Sequence, residues 1–489
     1  MEFINIIINQ INGVLWGYVL IYLLLGAGII FTIRTKFGQV VLLKEMFRVI
    51  SDTKPSIGPD GKKGISGFGA FMIGAATRIG TGNLAGVTTA VAFGGPGAIF
   101  WMWLVALVGG ATSMIECTLA QLYKEKDEQT GTFKGGPAYY IQKALGQRWL
   151  AVAMAIFTIL SFAWIFNSVQ ANTIADSLDN SFNISPSVTG ILLVILSGIV
   201  IFGGIHRISR FSATVVPIMA GIYILLGLYV FVTNIAMIPT VFMLIFKSAF
   251  GLEQAFAGGM GAALSFGVKR GLFSNEAGMG SAPNAAAAAT VSHPVKQGLI
   301  QTLGVYFDTL IVCSITAFVI LLSDVYNISE TYEGVSLLQQ SMSSHIGTWA
   351  SGFMAISIFL FAFSSIIGSY YYGEMNMKLI KDNKRTITVF RLITLGFVLF
   401  GSLVSVATVW NLADVCMALM TITNVSVILV ISPTALRLIQ NYIQQLKQQK
   451  DPVFYLDDLP ELNSAQITAW PKNSDQQSDS MWHPTNKSS

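Results

Sequence analysis

The sequence of 489 residues predicts an all-α polytopic membrane protein of eleven transmembrane helices, built as an inverted repeat of five plus five helices with one extra N-terminal helix. Three observations predict it. Only 11% of the side chains are charged and 53% are apolar, against roughly a quarter charged in a soluble domain. Apolar stretches of about 20 residues, enough to cross about 30 Å of hydrocarbon, recur along most of the chain. Two of these stretches carry related centres, rich in glycine and charge, that lie an odd number of helices apart. A membrane β-barrel would show alternating segments of about ten residues, and runs such as Ile191 to Ile201 and Leu392 to Phe400 do not alternate.

Turn and charge signals divide the chain into apolar segments near 15 to 33, 66 to 91, 97 to 122, 149 to 175, 188 to 204, 212 to 233, 253 to 281, 297 to 322, 350 to 372, 392 to 408 and 411 to 435. The first stretch carries no Lys or Arg before Arg34, so it lacks the charged front end of a cleaved signal peptide and reads as a retained helix. After it, Phe37 to Ile50 sets Val40, Leu43 and Phe47 against Lys44 and Arg48. That pattern suits either a helix lying on the inner headgroups or a solvated connector. From Lys450 the composition turns Asp-, Gln- and Ser-rich without periodicity and reads as a disordered cytoplasmic tail. The organisation expected is an extra helix with an interfacial segment over 1–65, the first repeat over 66–233, the second over 234–435, and a polar tail over 436–489.

Lys and Arg test this assignment independently of hydropathy, because they concentrate in cytoplasmic loops. Alternate loops, starting with 34 to 65 and ending with the tail, hold 25 of the 29 basic residues. The opposite loops hold only Lys247, and Arg78, Lys269 and Arg270 lie within proposed spans. A missed helix in the middle would scatter these charges over both faces. The N-terminus is therefore expected outside and the tail in the cytoplasm of a cell with this as its plasma membrane protein.

The second and seventh spans are interrupted at their centres. The first reads Ala76-Thr77-Arg78-Ile79-Gly80-Thr81-Gly82-Asn83 and the other Val268-Lys269-Arg270-Gly271-Leu272-Phe273-Ser274-Asn275-Glu276. An offset of 192 residues aligns Arg78 with Arg270 and Asn83 with Asn275. Five helices separate them, so the second copy crosses in the opposite direction, and in such folds the first helix of each repeat is broken near the midplane. Unwound backbone is tolerated there only where it lines a cavity or is buried in protein. The freed amides suit a carboxylate and the freed carbonyls a cation. Gly258, Gly259, Gly261 and the run Ala285 to Ala289 read instead as small residues for close helix contact. Charges at this depth must be paired or hydrated, so Glu276 is expected either to neutralise Arg270 or Arg78 or to contact a ligand.

Four stretches together resemble one family: Gly80-Thr-Gly-Asn-Leu-Ala-Gly86, Gly95-Pro-Gly-Ala98 with Trp101-Met-Trp103, Gly135-Gly-Pro-Ala-Tyr-Tyr140, and Ser274-Asn-Glu-Ala-Gly-Met-Gly-Ser-Ala-Pro-Asn284. They are similar to those of the alanine-or-glycine:cation symporters, sodium:alanine symporter-like proteins of the amino acid-polyamine-organocation superfamily. The resemblance covers nearly the whole chain. It implies the LeuT-like amino-acid transporter fold and sodium-coupled uptake of alanine or glycine by alternating access, with some members similar to glutamine carriers. It places the substrate at Thr81, Gly82 and Asn83, with Phe273, Ser274, Asn275 and Glu276 opposite. Phe273 either walls off a small side chain or simply fills space. Gln170, an uncharged amide in the fourth span, either bonds the zwitterion or links two helices. Sodium takes hard oxygen ligands, and the resemblance sets Ser364 and Ser365 beside the carbonyls of Ala76 and Ile79. Unaided, such a serine pair bonds its own helix.

Other classes fit less well. The histidines His206, His293, His345 and His483 fall in loops or the tail, so no enzyme centre converges, and no nucleotide-binding Gly-Lys-Ser/Thr loop is present. Broken helices also build channels. Glu116, Asp308 and Asp414 are membrane carboxylates suited either to carrying protons or to joining helices. Cys117, Cys313 and Cys416 lie in apolar segments as buried thiols, so no disulfide is expected. No cofactor, beyond sodium as a co-transported ion, and no nucleic acid is implied; the partners are the amino acid, sodium and the lipid bilayer.

Overall fold

The computed structural model describes residues 8, 10–51, 64–128, 130–252, 259–328, 334–462 and 466–472. Gly258, the opening of the predicted span 253 to 281 and the tail beyond 472 lie outside them.

Within the described residues, each predicted apolar stretch overlaps at least one helix. α1 (Gln10–Arg34) leads to the short α2 (Leu43–Ser51). α3 (Gly67–Arg78) and α4 (Val87–Gly94) are the halves of the first interrupted helix, and α5 (Gly97–Leu122) follows. A hairpin of β1 (Glu125–Asp127) and β2 (Thr132–Lys134), with Lys126 opposite Phe133, precedes α6 (Pro137–Leu145). Then come α7 (Arg148–Phe182), α8 (Pro186–Ile201), α9 (Gly204–Thr233) and α10 (Ile238–Ala249). α11 (Gly259–Asn275) and α12 (Ala282–Ala288) form the second interrupted pair. The chain continues through α13 (Pro294–Leu321), α14 (Val335–Ile346), α15 (Trp349–Ile380), α16 (Lys384–Leu403) and α17 (Val406–Lys447). Among the described residues, eight helices, α1, α5, α7, α9, α13, α15, α16 and α17, are each long and apolar enough to cross a bilayer.

Local chemistry sets these boundaries. The Ser66 hydroxyl accepts from the Gly69 amide at 3.0 Å and starts α3, and Asn383 does the same for α16 through Thr386 at 2.7 Å. Pro137, Pro186 and Pro294 occupy first helical positions, where no amide is needed. Asn183, at φ +52°, ends α7 in the left-handed conformation common at helix C-termini.

The helices associate as two groups. α5 lies along α11 and α13 and receives α1 on its outer side. α7, α8, α15 and α16 pack on one another, and α3 bridges to this second group through α15 and α9. α3 therefore runs where one group meets the other, while α11 packs within the first group and against α4.

Three expectations need correction. The tail is ordered well past Lys450: Phe454, Ile467 and Trp470 are buried, because a few apolar side chains suffice to anchor an otherwise polar segment. α17 itself continues to Lys447, twelve residues past the predicted end of the last span. Among the described residues, Gly259 and Gly261 meet no neighbour within 4 Å of an added Cβ, and close contact falls instead on the fully buried alanines of α12. α10, α14 and the hairpin were not foreseen, since short elements in polar loops leave no span-length signal.

Candidate functional site

The first break follows α3. Ile79 leaves helical conformation at ψ 84°, and the chain re-enters through a π-helical turn, Gly82–Gly86, before α4. Such wide turns are frequent at functional sites, and two more lie close by, Ile159–Phe166 in α7 and Phe307–Cys313 in α13. The freed polar groups are held by side chains. The Gly80 amide donates to Asn83 Oδ1 at 3.0 Å, and the Thr81 amide donates to Gln170 Oε1 at 3.1 Å. Gln170 thus already occupies an amide that the sequence assigned to a substrate carboxylate. The Thr81 hydroxyl is buried with no hydrogen-bond partner among the described residues, which is uncommon for a buried polar group.

The second break lies further along than its repeat partner implies. α11 is continuous through Phe273, Ser274 and Asn275, and the chain turns only at Glu276, φ +60°. Gly278 and Gly280, both at φ +86°, complete the unwound stretch before α12; these conformations are open to glycine and strained for other residues. Both polar groups of the Gly278 backbone are captured. Its amide donates to Glu116 Oε1 at 3.0 Å, and Asn424 Nδ2 donates to its carbonyl at 2.9 Å while also reaching Glu116 Oε2 at 2.7 Å. Tyr140 donates to Asn424 Oδ1 and fixes that amide. Glu116 and Asn424 therefore bind the break to α5 and α17, a helix-joining role.

Of the two arginine partners expected for Glu276, Arg270 is taken by another carboxylate. Arg270 makes a bidentate ion pair with Asp414 at 3.0 Å for both contacts, with Lys269 at 3.4 Å from the same carboxylate. Glu276 instead accepts from Ser281 at 2.6 Å. Arg78 donates to Asn275 O at 3.0 Å and Gln301 Oε1 at 2.9 Å, tying the end of α3 to the end of α11.

Between the breaks sits Asp308, in the π-helical turn of α13. Asn83 Nδ2 donates to its Oδ1 at 2.6 Å, and Ser274 and Thr309 each donate to its Oδ2 at 2.9 Å. One carboxylate thus joins the first break to the end of the helix that leads into the second. Sequence reasoning singled out Asp308 as a membrane carboxylate and left it off the site; the signal was an acidic residue inside an apolar span. The approach is close, since a Cβ on Gly82 would lie 2.9 Å from Ser274 Cα. Phe273 closes one side, 4.5 Å from Phe166 and 4.8 Å from Trp410 between ring centres, and Arg270 stacks on Trp410 at 4.5 Å.

The serine pair on α15 lies against the end of α3. Ser365 Oγ lies 2.8 Å from the Ala76 carbonyl oxygen and Ser364 Oγ 3.4 Å from the same oxygen. Both also reach Phe361 O, at 3.1 and 2.8 Å, as serines in apolar helices do. A Cβ on Gly80 would collide with Ser365 Oγ, so the break and α15 are in direct contact beside Ile79, which is buried.

Sequence comparison agrees with the architecture. The sequence model of the sodium:alanine symporter family matches residues 1–456. The chain is 49% identical over 465 residues to the amino-acid carrier protein AlsT of Bacillus subtilis, covering 95% of this chain and 98% of that protein. It is equally 49% identical over 465 residues to the probable sodium/glutamine symporter GlnT of the same organism, covering 95% and 96%. Among solved structures, a manganese transporter of Eremococcus coleocola superposes with a TM-score of 0.52 at 13% identity, covering 88% of this chain and 87% of that one, a likeness of fold. With the family match running from the first residue through the last membrane helix, the chain belongs to the sodium:alanine symporter family.

Proposed function

We propose that the chain imports a small neutral amino acid, alanine or glycine, together with sodium, and that both bind where the two broken helices meet. The observation that carries this reading is Asp308, a buried carboxylate that accepts from Asn83 at the first break and from Ser274 two residues before the second. A ligand there touches both repeats at once, as coupling requires.

In this reading the substrate carboxylate meets the backbone of Thr81, Gly82 and Asn83 and the unpartnered Thr81 hydroxyl, after Gln170 gives up the Thr81 amide. Ser274 and Asn275 face it, Phe273 bounds its side chain, and Asp308 supplies the negative charge that a cation or ammonium group needs. Glu276 acts by shaping the turn beside the site. Sodium takes the hydroxyls of Ser364 and Ser365 with the carbonyls of Ala76 and Ile79. The repeats span 66–233 and 234–435, preceded by the extra helix and interfacial segment of 1–65 and followed by the cytoplasmic segment of 436–489. The charge bias of the loops supports an outside N-terminus and a cytoplasmic C-terminus in the plasma membrane.

Transport then proceeds by alternating access. Ion and substrate both favour the state in which the breaks close on each other, so neither crosses efficiently alone. Proteoliposomes given labelled alanine, glycine or glutamine, with sodium and pH gradients imposed separately, test it. Saturable, sodium-driven alanine or glycine uptake is expected. Preferential glutamine uptake would move the substrate, uptake driven only by a proton gradient would move the ion, and unsaturable current would make it a channel.

A further inference from the structure

The chain turns at Gln449, φ +59°, as it leaves α17, and runs back under the helices. Asp451 accepts from Lys296 Nζ at 2.8 and 2.9 Å, at the start of α13, and from Arg48 Nη2 at 2.9 Å, on α2. The Phe454 amide donates to Ser292 O at 2.9 Å, and the Ser292 hydroxyl donates to Pro452 O at 3.0 Å. Phe454 is fully buried, with its ring 5.7 Å from His293 and 5.4 Å from Trp470. Trp470 Nε1 then donates to Gln121 O at 3.0 Å, at the end of α5. One strap therefore ties together α2, α5, the foot of α13 and the end of α17.

It covers the link between α12 and α13. In that link the Thr290 amide donates to Ile65 O at 2.8 Å, just before α3, and in the first turn of α13 Gln297 Nε2 donates to Gly67 O at 3.2 Å. α3 and α12 are the two half-helices that run from the breaks to the face carrying the basic loops. In the transport reading these ends must part for a path from the site to open to that face.

We propose that residues 451–462 and 466–472 form a latch: docked, the strap holds the ends of α3 and α12 together and keeps the path to the basic face shut, and released, it lets them separate. The inference rests on the transport reading above. Its ionic half is suited to release, since the Asp451 side chain stays 43% exposed while its partner Lys296 is 7% exposed. Its aromatic half, Phe454 and Trp470, is buried and gives the strap one place to return to.

Hydrogen exchange on the purified full-length protein tests this without transport, comparing wild type with Asp451→Asn and with a chain ending at Lys450. Exchange over 64–70 and 289–297 should accelerate about two- to five-fold in Asp451→Asn, the scale of a partly exposed ion pair, and more in the shortened chain, with 97–115, the part of α5 away from the Trp470 contact at Gln121, unchanged. The sodium concentration for half-maximal uptake should rise by a similar factor, because the path to the basic face opens more often without cargo. Unaltered exchange in both variants overturns the latch, and so does acceleration spread equally over 97–115, which would make the strap a general brace. If wild type takes up none of the amino acids but local exchange still responds, the transport reading fails and the latch stands.

Discussion

A methyl group at Gly82 probes the contact between the breaks. A Cβ there would lie 2.9 Å from Ser274 Cα and 3.2 Å from Phe273 Cδ1, where carbon atoms prefer about 3.5–4.0 Å. Ser274 Cα is main chain and cannot rotate away, so the two breaks must separate by roughly 0.6–1 Å. Strain of this kind costs about 1–3 kcal/mol. It falls on the closed state, while states that hold the breaks apart escape it. Gly82→Ala should therefore reduce the maximal rate of sodium-driven alanine uptake in proteoliposomes by about 5- to 150-fold, with protein yield and folding retained. Gly396→Ala, where an added Cβ meets nothing within 4 Å, controls for substitution of a membrane glycine and should lose less than about two-fold. If Gly82→Ala transports within two-fold of wild type, the breaks do not close on each other during the cycle and the reasoning is wrong.

Replacing Ser364 and Ser365 together by alanine removes two hydroxyls beside the Ala76 carbonyl and should raise the sodium needed for half-maximal uptake by about 5- to 150-fold, from roughly 1–3 kcal/mol of lost ligation; an unchanged sodium dependence would remove that assignment. Asp414→Asn leaves the Arg270 guanidinium, 5% exposed, without its carboxylate, and should destabilise the protein by about 3–5 kcal/mol, read as a lower unfolding temperature in detergent; an unchanged temperature would contradict a buried pair. Burial pushes the His293 imidazole down to about 3, whereas in the unfolded chain it titrates near 6.5. The unfolded state alone then binds a proton between those values, so the stability that His293 contributes is complete above about pH 6.5 and is lost as pH falls toward 3. By pH 5 the loss should reach about 2 kcal/mol and be absent in His293→Gln; equal acid sensitivity of the two proteins would refute it.

The helices were legible because hydropathy and basic-residue bias act over whole spans, so local detail cannot obscure them. The first break was legible because glycine, threonine and asparagine at 80–83 interrupt an apolar helix and its side chains satisfy the break locally, as Asn83 does for Gly80. The second was misplaced because alignment with the first pointed to Phe273, Ser274 and Asn275, whereas the left-handed conformations of Glu276, Gly278 and Gly280 set the turn. Asp308 was visible as an anomaly, but its partner Asn83 is 225 residues away, a pairing that only the fold creates. Arg270 found Asp414 rather than Glu276 for the same reason. The tail was misread because composition averages over Phe454 and Trp470, the two aromatic residues that anchor it.

The most direct measurement is an experimental density map of the protein in lipid with sodium and alanine. The account predicts the amino acid against the backbone of 81–83, facing Phe273 and Ser274, with an ion beside Ser364 and Ser365. Alanine bound elsewhere, with the backbone of 79–83 and 276–281 untouched by any ligand, would contradict it.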